Sequence, residues 1–114
     1  MLPLLEAILR ASPKVKTFQV IDNDPIDAAN FLFKIRCELI SGQTLQGRLR
    51  AFGGNLRYSY QEITDKPLRR WDNAPHFSDL SNFPHHYHDP NGDVIASALK
   101  GAPTSDLPQV LSAL

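Results

Sequence analysis

The sequence has a single cysteine, Cys37, among its 114 residues. One thiol excludes an internal disulfide framework and a cysteine-rich zinc site, and it fits a reducing compartment. Long hydrophobic runs are also lacking, because Glu6 and Arg10 interrupt the leucine-rich start and no basic region precedes it. We therefore expect neither a signal peptide nor a membrane span, and we expect a cytoplasmic protein.

The chain has no net charge, because 12 Lys and Arg balance 12 Asp and Glu. The charges are nevertheless unevenly distributed: residues 34–71 hold eight basic and three acidic residues, and residues 72–114 hold one basic and five acidic residues. A basic middle on a neutral protein favours binding of a polyanion on one face. Arginines on the wet face of a sheet can equally be solvated without a partner.

Alternation of apolar and polar residues indicates a series of strands, of which residues 31–40 form the clearest. The predicted strands cover residues 15–21, 31–40, 44–52, 56–64 and 68–72. Gly53-Gly54-Asn55 is the strongest hairpin signal, because glycine accepts the positive φ of a tight turn. Asp22 to Pro25 has the composition of a turn. Strands joined by short turns are typical of an antiparallel meander.

Helical periodicity is found at the two ends of the chain. The apolar positions of the two predicted helices are Leu4, Leu5, Ile8, Leu9, Leu107, Val110, Leu111 and Leu114. Thr104, Ser105 or Asp106 is expected to cap the second helix, and residues 94–96 fit either an edge strand or a helix start. We predict one α+β domain over residues 1–114, an antiparallel meander sheet of four to five strands with N-terminal and C-terminal helices.

All four histidines lie in a proline-rich stretch between residues 76 and 88, shortly after the only tryptophan. Loops on a rigid scaffold often carry binding and catalytic groups, and neighbouring histidines are too polar to be buried together without partners. The candidate acid–base groups are His85, His86, His88 and His76, with Asp72 as an orienting carboxylate.

This composition favours RNA cleavage without a metal. The reaction needs a base for the 2′-hydroxyl, an acid for the leaving 5′-oxygen and cations for the charge on the phosphorane. The candidate substrate-binding residues are Arg57, Arg70 and Arg48 for phosphate, Tyr58 and Trp71 for base stacking, and Asn73. The two rings are equally consistent with the core, and Asp72-Asn73 is also consistent with a turn.

Two alternatives remain open from the residues alone. His86 and His88 share a face if their segment is extended, and His85 and His88 do so if it is helical. With His76, Asp72 or Asp89 they could form a site for zinc or another divalent transition metal, although no known ligand spacing is matched. The second alternative is a non-enzymatic module that binds RNA, the ribosome or a protein, and a homo-oligomer is possible.

Three segments carry a family resemblance. They are Leu56-Arg57-Tyr58-Ser59-Tyr60-Gln61, Arg70-Trp71-Asp72-Asn73-Ala74-Pro75-His76 and Phe83-Pro84-His85-His86-Tyr87-His88. Following a short helix, these segments resemble the TumE-like toxin family of small prokaryotic proteins over nearly the whole chain. The resemblance implies a toxin that an adjacent antitoxin neutralises. Two positions depart from the family pattern, which often has Lys at the position of Tyr87 and an acidic residue at that of Leu49.

Overall fold

The structure, a computed structural model, describes residues 1–114 as one antiparallel sheet with a helix at each end of the chain. The elements are α1 (Leu2–Ala11), β1 (Val15–Asp27), β2 (Asn30–Leu39), β3 (Thr44–Phe52), β4 (Asn55–Ile63), β5 (Pro67–Asp72), β6 (His86–His88), β7 (Val94–Ala96) and α2 (Pro103–Ala113). The seven strands pair in chain order. The predicted α+β meander with terminal helices is confirmed, and β6 and β7 extend it beyond the four to five strands expected.

The first hairpin turn lies later than the sequence predicts. Asp22 to Pro25 continue β1, and the chain turns instead after Asp27, whose Oδ1 accepts a hydrogen bond from the Ala29 N–H (2.8 Å). The predicted turn at residues 22–25 is therefore wrong. β1 is an edge strand, where a proline and exposed acidic side chains are tolerated because one side of the strand has no neighbour.

One face of the sheet is covered by the two helices. Alternate residues of β2 and β3 point toward this face, as the period of two requires, and they pack with the apolar residues of both helices. The core consists of Leu5, Leu9, Phe31, Phe33, Ile35, Cys37, Leu39, Leu45, Leu49, Ala51, Tyr58, Tyr60, Trp71, Leu99, Leu107, Val110 and Leu111. Burial raises the pKa of the Cys37 thiol to about 12, so Cys37 acts as a small core residue.

Helix α2 is fixed at both ends by buried polar groups. Its N-cap is Ala102, which lacks a side-chain cap, so the predicted side-chain N-cap is absent. The buried Asp106 carboxylate in the first turn instead accepts from the N–H groups of Lys100, Gly101 and Ala102 at 3.0, 2.8 and 3.1 Å. At the C-terminal end Arg69, which is paired with the buried Glu62, donates to the carbonyl of Ala113.

The opposite face of the sheet, which we call the open face, carries the polar half of the alternation. No helix covers it, although residues 73–84 cross one end as they connect β5 to β6. Its side chains in the central strands are Arg48, Arg50, Arg57, Ser59, Gln61, Arg70, Asp72, His86 and His88. The open face therefore carries arginines from the basic middle of the chain together with three predicted site residues that follow it, Asp72, His86 and His88.

Candidate active site

Strand register brings the arginines and the histidines together. Directly opposite residues in antiparallel strands lie on the same face, with Cβ atoms about 5 Å apart. One row across β3 to β6 consists of Arg48, Ser59, Asp72 and His86. A second row, across β4 to β6, consists of Gln61, Arg70 and His88. Arg48 and His86, which are far apart in sequence, thus share one row of the sheet, and Arg70 and His88 are direct neighbours.

Asp72 is the centre of these contacts. Its Oδ2 accepts a hydrogen bond from Arg70 Nε (2.7 Å), and its Oδ1 accepts from the Ala74 N–H (3.0 Å). His86 Nε2 lies 2.9 Å from Oδ1, and His88 Nε2 lies 3.5 Å from Oδ2. The carboxylate therefore both forms the predicted turn after β5 and orients imidazoles.

His86 is fully buried between two acceptors. A carbonyl oxygen can only accept, so His86 Nδ1 donates to the carbonyl of Pro84 at 3.0 Å. On the other side of the ring, Nε2 faces the Asp72 carboxylate, which also accepts when it is ionised. Since neither ring nitrogen is free, His86 supports the site and does not face solvent.

His88 and His76 border a cavity of about 400 Å³, which we call the histidine cavity. The His88 side chain is one-third exposed, and partial burial lowers its pKa while the neighbouring Asp72 opposes this shift. His76 is exposed on the loop after β5. These two imidazoles are the ones that a ligand in the cavity could reach.

Phe77 also borders the histidine cavity, and no pattern in the sequence indicates it as a site residue. Its ring is 41% exposed and packs edge-on against His86, with the centroids 5.0 Å apart. Its φ of 60° is in the left-handed region, which large side chains rarely adopt. Such strain tends to occur at functional sites, but it depends on the folded loop and leaves no signal in the sequence.

A second cavity of about 200 Å³, which we call the arginine cavity, adjoins the first. Its wall includes Arg48, Arg50, Arg57 and Arg70, and it shares Arg70 and Asp72 with the histidine cavity. Arg50 and Arg57 are directly opposite in the β3–β4 register. Like charges at such positions are destabilising, and no carboxylate pairs with Arg48, Arg50 or Arg57. The arrangement favours binding of an anion in the arginine cavity.

The family model described as Toxin TumE matches residues 4–114. The chain belongs to the TumE toxin family. Membership confirms the family resemblance of the sequence, and it implies a cognate antitoxin as a partner. No curated protein and no solved structure matches the chain significantly. Neither helix has the length and apolar character that spanning a membrane would require.

In this TumE-family chain, His85 is separated from the other histidines. Its Nδ1 lies 2.8 Å from the hydroxyl of Tyr58, its ring stacks on the Tyr58 ring, and it contacts the backbone near Gly101. It borders neither cavity. Burial lowers the pKa of His85, against a smaller opposing influence of Asp106. The strand period explains the separation, because adjacent residues of an extended segment face opposite sides.

Other predicted substrate-binding residues lie inside the protein. The side chains of Tyr58 and Trp71 are 2% and 7% exposed, so neither ring offers a free stacking face, although Tyr58 borders the arginine cavity. Asn73 links strands: its Oδ1 accepts from the Tyr58 N–H (2.9 Å) and its Nδ2 donates to the Leu56 carbonyl (2.8 Å). These three residues are buried and support the site from within the protein.

The two positions that the sequence reading expects to depart from the family pattern also lie on the core face. Leu49 is buried in β3, and the Tyr87 ring packs against Trp71 with centroids 4.9 Å apart. Neither residue borders the arginine or the histidine cavity. An acidic residue at position 49 would be desolvated among core side chains in this fold, which explains why an apolar residue fits there.

Asp72, His86 and His88 are also the residues that could hold a metal ion. Their ligand atoms lie within 4.8 Å of one another, and two histidines with one carboxylate form a common transition-metal set. The Pro84 carbonyl fixes the Nδ1 proton of His86, as the outer partners of metal-bound histidines do. Arg70 disfavours metal binding at this set, because its guanidinium already donates a hydrogen bond to Asp72 Oδ2.

Proposed function

We propose that this TumE-family chain is the toxin of a toxin–antitoxin pair and that it cleaves RNA without a metal where the two cavities meet. One observation supports this most directly. Three unpaired guanidinium groups, those of Arg48, Arg50 and Arg57, surround a cavity that shares Arg70 and Asp72 with the cavity of His88. Anion-binding groups and titratable groups are therefore adjacent on an open surface.

The arginine cavity suits a phosphate of the RNA backbone. Guanidinium groups bind phosphate oxygens in a planar, bidentate manner, and their charge does not depend on pH near neutrality. Arg50 and Arg57 repel each other in the free protein because they are directly opposite. A bound phosphate would relieve this repulsion, so part of the binding free energy comes from the arrangement of the free protein.

His88 is the general base in this proposal, and His76 is the general acid. His88 removes the 2′-hydroxyl proton, and the 2′-oxygen then attacks the adjacent phosphorus while the bond to the 5′-oxygen breaks. His76 donates a proton to that leaving oxygen, which yields a 2′,3′-cyclic phosphate and a 5′-hydroxyl. Asp72 stabilises the imidazolium that forms on His88, and Arg70 stabilises the charge that develops on the phosphorane.

Phe77 takes the stacking role that the sequence suggested for Tyr58 and Trp71. Single-stranded RNA is commonly bound by stacking an unstacked base on an aromatic ring. Phe77 is the exposed ring at the histidine cavity, beside both proposed acid–base groups. A base stacked there would hold its own 2′-hydroxyl near His88. His85 has no acid–base role in this mechanism, because it borders neither cavity.

A metal-dependent nuclease is the second candidate, supported by the Asp72, His86 and His88 set. We favour the metal-independent mechanism because a divalent cation at Asp72 would lie beside the Arg70 guanidinium and near three further arginines. Chelation separates the two. Under our proposal RNA cleavage is unchanged after EDTA treatment, whereas a metal-dependent enzyme loses activity and regains it when Zn²⁺ or Mn²⁺ is added.

The function is tested by expressing the wild type and His88→Ala without antitoxin. Growth arrest with fragmented RNA for the wild type, and neither for His88→Ala, is the expected result. Purified wild type should convert RNA to fragments with 2′,3′-cyclic phosphate and 5′-hydroxyl ends. Growth arrest with intact RNA would remove the nuclease proposal and leave a toxin that acts by binding.

A further inference from the structure

Strand β1 has a long edge without a neighbour. It pairs with β2 only, and its 13 residues from Val15 to Asp27 form one border of the sheet. The other border, β7, has three residues. Every residue from Ile21 to Asp27 is exposed. An unpaired strand edge of this length is a template for another strand, because its N–H and C=O groups lack partners.

The charges along this edge are arranged symmetrically about Gln19. Lys16 and Asp22 are each three residues from Gln19, and Asp24 and Lys14, which lies in the turn just before β1, are each five residues from it. In an antiparallel pair of two identical strands centred on Gln19, each of these lysines would lie opposite an aspartate of the other copy. Opposite charges at facing positions are favourable, so the sequence complements itself in this register.

The same register also matches the other side chains and the limits of the strand. Phe18 would lie opposite Val20 of the second copy, and both are half-buried residues on the core side, where they pair with Cys37 and Ile35 of β2. Pro13 and Pro25 are each six residues from Gln19, so they would face each other at the two ends. Proline cannot donate to a ladder, so the prolines bound the paired segment.

We propose that β1 pairs with β1 of a second copy of this chain, antiparallel and centred on Gln19. Since each copy has seven strands, the dimer would contain a continuous sheet of twice that number. The two-fold axis of such a pair is perpendicular to the sheet, so the open faces of both copies lie on the same side. The dimer interface is independent of RNA cleavage, although it would place two arginine cavities on one surface.

The edge also carries features that discourage pairing in other proteins. Lysines, a proline and irregular pairing are common protections of strand edges, and the β1–β2 register shifts between Val15 and Thr17 and between Val20 and Asp22. A monomer is therefore the principal competing outcome. A second competing outcome is that a strand of the antitoxin pairs with this edge. In that case the wild-type toxin would be monomeric when purified without antitoxin.

Reciprocal charge exchange tests the register. We expect wild type to be a dimer by size-exclusion chromatography with light scattering at about 100 µM, where even weak association is populated. Lys14→Asp/Lys16→Asp and Asp22→Lys/Asp24→Lys should each be monomeric at that concentration, because like charges then face each other. Mixing the two variants in equal amounts should restore a dimer that contains one copy of each, which also shows that both variants are folded.

A control with the same charge change is available elsewhere on the surface. Asp79→Lys/Asp93→Lys alters two exposed aspartates outside β1 and should remain dimeric. A monomeric wild type overturns the proposal. Dimers that persist in both exchanged variants, or exchanged variants that do not associate when mixed, overturn this register. The Kd of the wild-type dimer should also rise with salt, by about tenfold between roughly 0.05 and 0.5 M, because salt screens the facing charges.

Discussion

Asp72 Oδ1 lies 2.9 Å from His86 Nε2, and both side chains are buried beside an exposed surface of arginines. Asp72 borders both cavities. Asp72 also binds Arg70 at 2.7 Å and lies 3.5 Å from His88, so one carboxylate positions a phosphate-binding group and a proton-transfer group.

Asp72→Asn should lower both stability and activity. The amide cannot balance the charge of Arg70, and it cannot accept hydrogen bonds through both of its terminal atoms as the carboxylate does, so a buried partner is left unpaired at a cost of about 2 kcal/mol. We expect a lower free energy of unfolding in urea, and RNA cleavage reduced by about 10²-fold at a temperature where the variant remains folded. Full activity in the folded variant would exclude a role for this carboxylate.

The pH dependence of cleavage should report His88. A general base acts in its neutral form, and burial lowers the pKa of His88 from the ordinary value of 6.5. The acid limb of kcat/KM should therefore lie below about pH 6.5, so the enzyme keeps activity where an exposed imidazole is largely protonated. An acid limb above this pH would contradict the assignment. His88→Ala should lose about 10²- to 10⁴-fold in kcat.

Arg57 and Arg36 form a matched comparison on one sheet. Arg57 borders the arginine cavity, whereas Arg36 bonds Gln46 outside it. Arg57→Ala should weaken RNA binding and reduce the dependence of log K on log salt by about 0.7, the value for one phosphate contact on a single strand. Arg36→Ala, which removes the same charge, should leave cleavage nearly unchanged. Equal effects of both substitutions would indicate diffuse attraction rather than a phosphate site.

Phe77 should affect RNA binding more than folding. Phe77→Gly removes the ring at a position whose φ of 60° suits glycine, so loss of contacts is partly offset by relief of backbone strain. We expect a higher KM for RNA, by about tenfold for one lost stacking contact, while Phe77→Trp keeps binding. A Phe77→Gly protein with wild-type KM would show that no base stacks on this ring.

His85 should make stability depend on pH. Burial lowers its pKa below that of the unfolded chain, so the unfolded state binds the proton more readily as pH falls. The free energy of unfolding should therefore decrease on acidification from about pH 7 to 5. His85→Asn, which keeps an acceptor for the Tyr58 hydroxyl, should reduce this slope without abolishing it, because the pKa of His88 is lowered too. An unchanged slope would count against a half-buried His85 whose pKa is lowered in the folded state.

The predicted architecture follows from local sequence patterns that tertiary contacts did not override. Residues 31–39 alternate with a period of two, and the glycines after Phe52 fit the positive φ of their turn, so the central strands are where the sequence places them. The strand β6 could not be predicted from the sequence. It has only three residues, in a segment between Pro84 and Pro90, and this is too short to show a period of two. It forms only because β5 and β7 offer hydrogen bonds on both sides.

The sequence by itself determined the meander, the two helices and the concentration of histidines in one segment, since these depend on period, turn residues and composition. Only the tertiary structure decided that His86 and His88 join the arginines while His85 enters the other side of the sheet. It also placed Arg50 opposite Arg57 and buried Trp71. These outcomes depend on register and on which face is buried, and both are set by contacts between residues distant in sequence.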